Sequence, residues 1–121
     1  MLVENLDVFK EAHLLTLNLY KITKKFPNEE KFGLINQIRR ASVSINSNLM
    51  EGAHRKTNKE YKQFISISRG STGELKYQLM LANDLDYISN GDYKKLKDKL
   101  NYISKMLSSL MNKLWIRNIK V

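Results

Sequence analysis

Leu96, Leu100, Ile103, Leu107, Leu110 and Leu114 recur at alternating spacings of four and three, an apolar stripe along one side of a helix for nearly three heptads. A stripe this narrow buries little alone, so the chain must supply other helices to lie against it. Residues from about Leu6 to Lys25 predict the first, with Asn5 as cap, Asp7 and Glu11 near its positive end and Lys21, Lys24 and Lys25 near its negative end. Phe26-Pro27 stops it, and Asn28 followed by Glu29 and Glu30 is expected to cap a second. In that second helix Ile35, Ile38, Ser42, Ile45 and Leu49 form the buried seam, which ends near Gly52 to Arg55. Thr57-Asn58-Lys59-Glu60 matches a capping box and opens a third helix. That helix is predicted to run to about Ile88 with Tyr61, Phe64, Ser68, Ser71, Leu75, Leu79, Ala82 and Leu85 inward. Ser89-Asn90-Gly91-Asp92 then turns the chain and caps the fourth.

Short loops force sequential helices to run antiparallel, so the expected fold is all-α: an up-down-up-down four-helix bundle forming one domain over residues 1–121. A single proline and five glycines in 121 residues suit long helices. The absence of cysteine excludes disulfides, thiolate nucleophiles and Cys-ligated metal sites. Glu4 and Asp7 stand where a secretory signal needs basic residues, and charges interrupt every apolar run well short of the roughly 20 residues of a membrane span. A cytoplasmic protein with no membrane partner is expected.

Two small-residue runs, Ala41 to Asn48 and Ser66 to Gly73, cost helix propensity and predict close contact between the second and third helices. If those helices fold back on each other about the turn near residues 54 to 57, facing positions sum to about 111. Ser44 then lies near Ile67, Arg40 near Ser71 and Gln37 near Glu74, which brings Arg40 within reach of Glu74. Arg39, Arg40, Asn48, Glu51, Ser71 and Glu74 are accordingly expected to form a structural polar network that fixes helix register. An active-site reading of Arg40 and Glu74 is the sharper alternative, but no nucleophile or base stands with an orienting partner. His13 and His54 lie on different helices without metal-ligand spacing. The chain therefore reads as non-enzymatic, with no catalytic residue, metal site or cofactor.

The net charge is +9 and uneven: residues 31–60 carry six basic against two acidic groups, and residues 91–121 eight against two. Lys94, Lys95, Lys97 and Lys99 crowd the start of the fourth helix, where cations oppose the macrodipole and solubility alone explains them poorly. Arg55, Lys56 and Lys59 form a second group at the turn joining helices two and three, at the opposite end of the bundle. These seven residues are the candidate phosphate contacts for RNA or DNA, as sequence-independent electrostatics without interleaved aromatics for base stacking. Apolar residues outside the seams (Leu14, Leu15 and Leu19; Ile65, Tyr77, Met80 and Leu81; Tyr102, Met106 and Trp115) exceed what one core absorbs and predict self-association.

Phe26-Pro27-Asn28-Glu29-Glu30-Lys31-Phe32-Gly33-Leu34, Gln37 to Ile45, Ser47-Asn48-Leu49, Glu51-Gly52 and Gly70-Ser71-Thr72-Gly73-Glu74-Leu75 together resemble the signature blocks of the 23S rRNA-intervening sequence family of four-helix-bundle proteins. Such proteins are encoded within insertions of bacterial large-subunit ribosomal RNA genes and elsewhere in bacterial genomes. The resemblance covers roughly residues 9 to 114 and implies the bundle fold and a homopentameric ring. A related branch, the accessory variability protein of diversity-generating retroelements, binds a reverse transcriptase and its template RNA. The resemblance thus also implies an alternative role as a protein-binding adaptor for a reverse transcriptase or another enzyme. This chain departs from the family pattern at Asn46, where many relatives carry proline, at Met50, where a small residue is common, and at Asp86, where glycine is common.

Overall fold

The computed structural model describes the backbone of residues 2–120 and the side chains of residues 2–114. Four helices follow in order: α1 (Asp7–Thr23), α2 (Leu34–Ala53), α3 (Asn58–Asp84) and α4 (Asn90–Lys120), with short 3-10 turns at Val3–Asn5 and Asn28–Glu30. The described backbone contains no strand.

Several ends differ from expectation for identifiable reasons. Asn5 belongs to the first 3-10 turn, so Leu6 takes the capping position of α1 and no side chain caps it. Asn28 likewise opens a 3-10 turn rather than α2; that helix starts at Leu34, whose N–H donates to Glu30 Oε1 at 3.2 Å. The capping box at Thr57 forms as predicted, with Glu60 N–H donating to Thr57 Oγ1 at 3.1 Å. At the start of α4, Asp92 N–H donates to Ser89 Oγ at 3.1 Å, which makes Ser89 the cap.

Helix α3 stops four residues before Ile88. Tyr87 N–H donates to Ala82 O and Asp86 N–H to Asn83 O, the crossed pair of bonds that closes a helix when the residue between turns left-handed. Asp86 is that residue, with φ of 61°, the only non-glycine described residue at positive φ. The glycine that the family resemblance leads one to expect here would adopt the same conformation freely. Leu85, expected inward, falls in the cap and is 45% exposed. Tyr87 then packs on Phe26, their ring centroids 5.3 Å apart, and donates its hydroxyl to Glu30 Oε2 at 2.9 Å. The α1–α2 and α3–α4 connections are thereby joined at one end of the bundle.

Cross-helix bonds give the directions. Asn46 Nδ2 donates to Phe9 O and Arg39 Nε to Thr23 Oγ1, both at 2.9 Å, so residue numbers fall along α2 as they rise along α1. Ser68 Oγ donates to Ile45 O at 2.7 Å and Ser44 Oγ bonds Ser71 Oγ at 2.8 Å, which sets α2 against α3 in the same sense. On the other side of α1, Lys99 of α4 bonds Glu11.

The core contains Ile38, Ile45, Leu49, Ile65, Leu75, Leu79, Leu100, Ile103 and Leu107, all essentially without solvent exposure. Each contributes about 1.5–3 kcal/mol by burial. Of the predicted seams, Leu96, Leu100, Ile103, Leu107 and Leu114 are buried, whereas Leu110 and Ile35 are half-buried. Three residues assigned outside the seams, Leu15, Leu19 and Ile65, are core. Ile65 replaces Tyr61 and Phe64, which are half-buried beside Gly52. Trp115 lies outside the described side chains.

The small-residue runs divide into two kinds. Ser42, Ser68, Ser71 and Thr72 are buried, and Ser68 and Ser71 make the direct bonds from α3 to α2. Gly70 and Gly73 do not: a Cβ added at either would meet nothing within 4 Å. The glycine that the helix contact requires is Gly52, where a Cβ would lie 2.7 Å from Phe64 Cβ and 2.9 Å from Tyr61 Cδ1.

Candidate nucleic-acid interface and polar cleft

The 27 residues of α3, about 40 Å at 1.5 Å per residue, separate the two basic groups, because one lies at the start of α3 and the other follows its end. They are not equally available to a ligand. At the α2–α3 turn, Arg55 Nη2 donates to Glu51 Oε1 at 2.7 Å, its Nη1 lies 4.0 Å from Glu60, and its guanidinium sits 4.8 Å from the centroid of Phe64. Lys56 and Lys59 are exposed.

The four lysines of α4 spread around the helix. Lys94 and Lys95 are exposed, and Lys95 borders the groove between α4 and α1. Lys97 is half-buried with its ammonium 5.7 Å from the ring centroid of Tyr93. Lys99 is bonded to Glu11 and also lies 5.8 Å from the Tyr102 ring. Of the seven candidate contacts, Lys56, Lys59, Lys94 and Lys95 are therefore exposed and open, while Arg55 and Lys99 already have carboxylate partners. An exposed Glu51–Arg55 pair at this spacing is worth only about 0.3–0.5 kcal/mol, so its larger effect is to satisfy the cation.

The expected polar network separates into three parts. Arg40, Ser71 and Glu74 line one cleft between α2 and α3, together with Gln37, Ser44 and Gln78. Asn48 braces its floor by donating through Nδ2 to Ser44 O at 2.8 Å and Ser44 Oγ at 2.9 Å. Arg39 turns away to α1, where it also reaches Tyr20 O at 3.2 Å and stacks 4.5 Å from that ring. Glu51 belongs to the bundle end with Arg55. Arg40 and Glu74 share the cleft without an ion pair within 4.0 Å; the three ion pairs among the described residues lie elsewhere.

Helix positions alone did not reveal a third surface. An apolar groove of about 930 Å³ runs between α1 and α2, lined by Phe9, Leu17, Tyr20, Val43 and Met50. His13 and His54, distant in sequence, both border it. His54 Nδ1 is bonded to Met50 O at 2.8 Å, and among the described residues no three His, Asp or Glu side chains converge as a metal-ligand set. Asn46 and Met50 line this same groove. The off-seam apolar residues Leu17, Tyr20 and Val43 were the available signal for it.

The Tyr87 hydroxyl is held above the usual tyrosine range by its hydrogen bond to Glu30, then by burial and the negative charge of Glu30 and Glu29. Burial similarly raises Tyr61. No described helix is long and apolar enough to cross a membrane.

Comparison with known proteins agrees with this architecture. No curated protein sequence matches the chain. A crystal structure of a protein of unknown function from the S23 ribosomal protein family of Bacteroides thetaiotaomicron superposes with a TM-score of 0.79 at 24% identity, covering 86% of this chain and 97% of that one. That likeness establishes the shared fold. Residues 4–109 match the 23S rRNA-intervening sequence protein family, and a match of that extent makes this chain a member of it.

Proposed function

We propose that this chain is a non-enzymatic, oligomeric protein of the cytoplasm that binds RNA or DNA through phosphate contacts. The observation that carries the reading is the pair of open lysine groups, Lys56 with Lys59 and Lys94 with Lys95, on a chain of net charge +9. Their separation along α3 suits a long or structured polyanion, or an assembly that presents several copies of each group. The ribosomal RNA in the family's name is consistent with RNA as the ligand.

Self-association is supported by exposed apolar side chains, among them Leu14 at 61%, Tyr77 at 59% and Tyr102 at 52%. A homopentamer is the state that family resemblance favours. The α1–α2 groove favours a second reading, an adaptor that recruits an enzyme such as a reverse transcriptase while the partner holds the nucleic acid.

Binding of a structured RNA and a duplex DNA across a salt series, with native mass measured on the same sample, separates the readings. A nucleic-acid-binding oligomer shows affinity that falls steeply with salt and weakens in a Lys56/Lys59/Lys94/Lys95→Gln variant. Absence of binding at low salt overturns the proposal and leaves the adaptor role.

A further inference from the structure

The α2–α3 cleft has a volume of about 410 Å³, within the range of small-ligand sites and large enough for one nucleobase. Its floor is bonded within itself. Asn48 donates to Ser44 Oγ, Ser44 and Ser71 share a hydrogen bond of 2.8 Å, and Ser71 Oγ donates to Ile67 O at 3.3 Å. When Ser71 donates to Ile67, the Ser44 hydroxyl donates to Ser71 and both hydroxyl protons are used.

The walls are the reverse. Arg40 and Glu74, both exposed, line the same cavity from opposing helices, and neither forms an ion pair or side-chain hydrogen bond among the described residues. Gln78, one turn beyond Glu74, is only 9% exposed, lines the cleft, and has a buried Oε1 without a partner. A buried amide oxygen is expected to be bonded, and this one has no partner among the described residues. A network that served only to lock two helices would close Arg40 onto Glu74 and satisfy Gln78.

The unfilled groups specify a ligand. Arginine and glutamate together carry no net charge, and the carboxylate repels phosphate, so this is not another phosphate contact. A guanidinium fork calls for two adjacent acceptors, and a carboxylate for two adjacent donors. Guanine provides both, with O6 and N7 on one edge and N1–H and the exocyclic N2 amine on the next. Adenine, cytosine and uracil each lack the pair of adjacent donors. We infer that the α2–α3 cleft reads a single unpaired guanine, with Arg40 on O6 and N7 and Glu74 on N1 and N2. This assignment rests on the nucleic-acid reading above and adds base choice to it.

The test compares, at one low salt concentration, a uridine oligonucleotide with the same strand carrying one central guanosine, inosine or 7-deazaguanosine. The guanosine strand is expected to bind about tenfold tighter than the uridine strand. Inosine, lacking the amine, and 7-deazaguanosine, lacking N7, each lose part of that gain. Glu74→Gln and Arg40→Gln bring the ratio close to one while the affinity for the uridine strand and the melting temperature hold. Equal affinity for guanosine and uridine strands, or a preference that survives both variants, overturns the inference and leaves phosphate binding intact. Binding of neither strand overturns the phosphate reading, and guanosine monophosphate then decides the cleft. Its binding with sensitivity to Glu74→Gln assigns the cleft to a free nucleotide, and no binding overturns both.

Discussion

The α2–α3 and α1–α4 contacts are both antiparallel helix pairs, but they handle polar groups in opposite ways. Between α1 and α4, Lys99 meets Glu11 and the charges satisfy each other. Between α2 and α3, serines and Gly52 bring the backbones together, hydroxyl bonds fill the floor, and Arg40 and Glu74 are exposed above it without pairing. Close packing and an unpaired charged rim therefore occur on the same seam. A bundle of leucines needs neither feature to hold together.

The largest expected effect is at the hydrophobic base of that seam. Leu49→Ala should cost about 2–5 kcal/mol in urea denaturation, since Leu49 is fully buried and its removal leaves a cavity. Gly52→Ala should cost about 1–3 kcal/mol despite alanine's better helix propensity, because its Cβ has no room beside Phe64 and Tyr61. Gly70→Ala and Gly73→Ala should do the opposite and stabilise by up to about 1 kcal/mol each, with thermal melting as the check. Destabilisation by the latter two, accompanied by a fall in native mass, would place the outer face of α3 inside an assembly.

A smaller effect is expected where the loops meet. Tyr87→Phe removes the bond to Glu30 and should lower stability at neutral pH. The folded-state hydroxyl ionises later than an unfolded one, so its contribution is complete below the ordinary tyrosine range and fades as pH rises through the folded value. Wild type and Tyr87→Phe should accordingly converge in stability at strongly alkaline pH, as chemical denaturation at several pH values would show.

The bundle was legible because its signals are periodic: the stripe from Leu96 to Leu114 and the capping box at Thr57 need no tertiary information. The close of α3 was less so, since a left-handed Asp86 is chosen by Tyr87 docking on Phe26, which lies far away in sequence. Reflecting residue numbers about the α2–α3 turn placed Ser44 near Ile67, yet it bonds Ser71. Side chains lean toward the N-terminus of their own helix by about one residue, which in an antiparallel pair accounts for about two of the four positions between Ile67 and Ser71. The shift preserved the meeting of Arg40 and Glu74 in one cleft but not their expected bond. Which cations remain open was only partly legible: Glu51 and Arg55 pair at a spacing of four, whereas Glu11 selects Lys99 through helix packing.

That last distinction gives the most direct test. The slope of log affinity against log salt for a structured RNA can be compared among wild type, the Lys56/Lys59/Lys94/Lys95→Gln variant and an Arg55/Lys99→Gln variant. If open cations bind phosphate and paired ones do not, the first variant reduces the slope by about one to three units, and the second leaves it nearly unchanged. An equal loss in both variants, or no change in the first, would contradict the account.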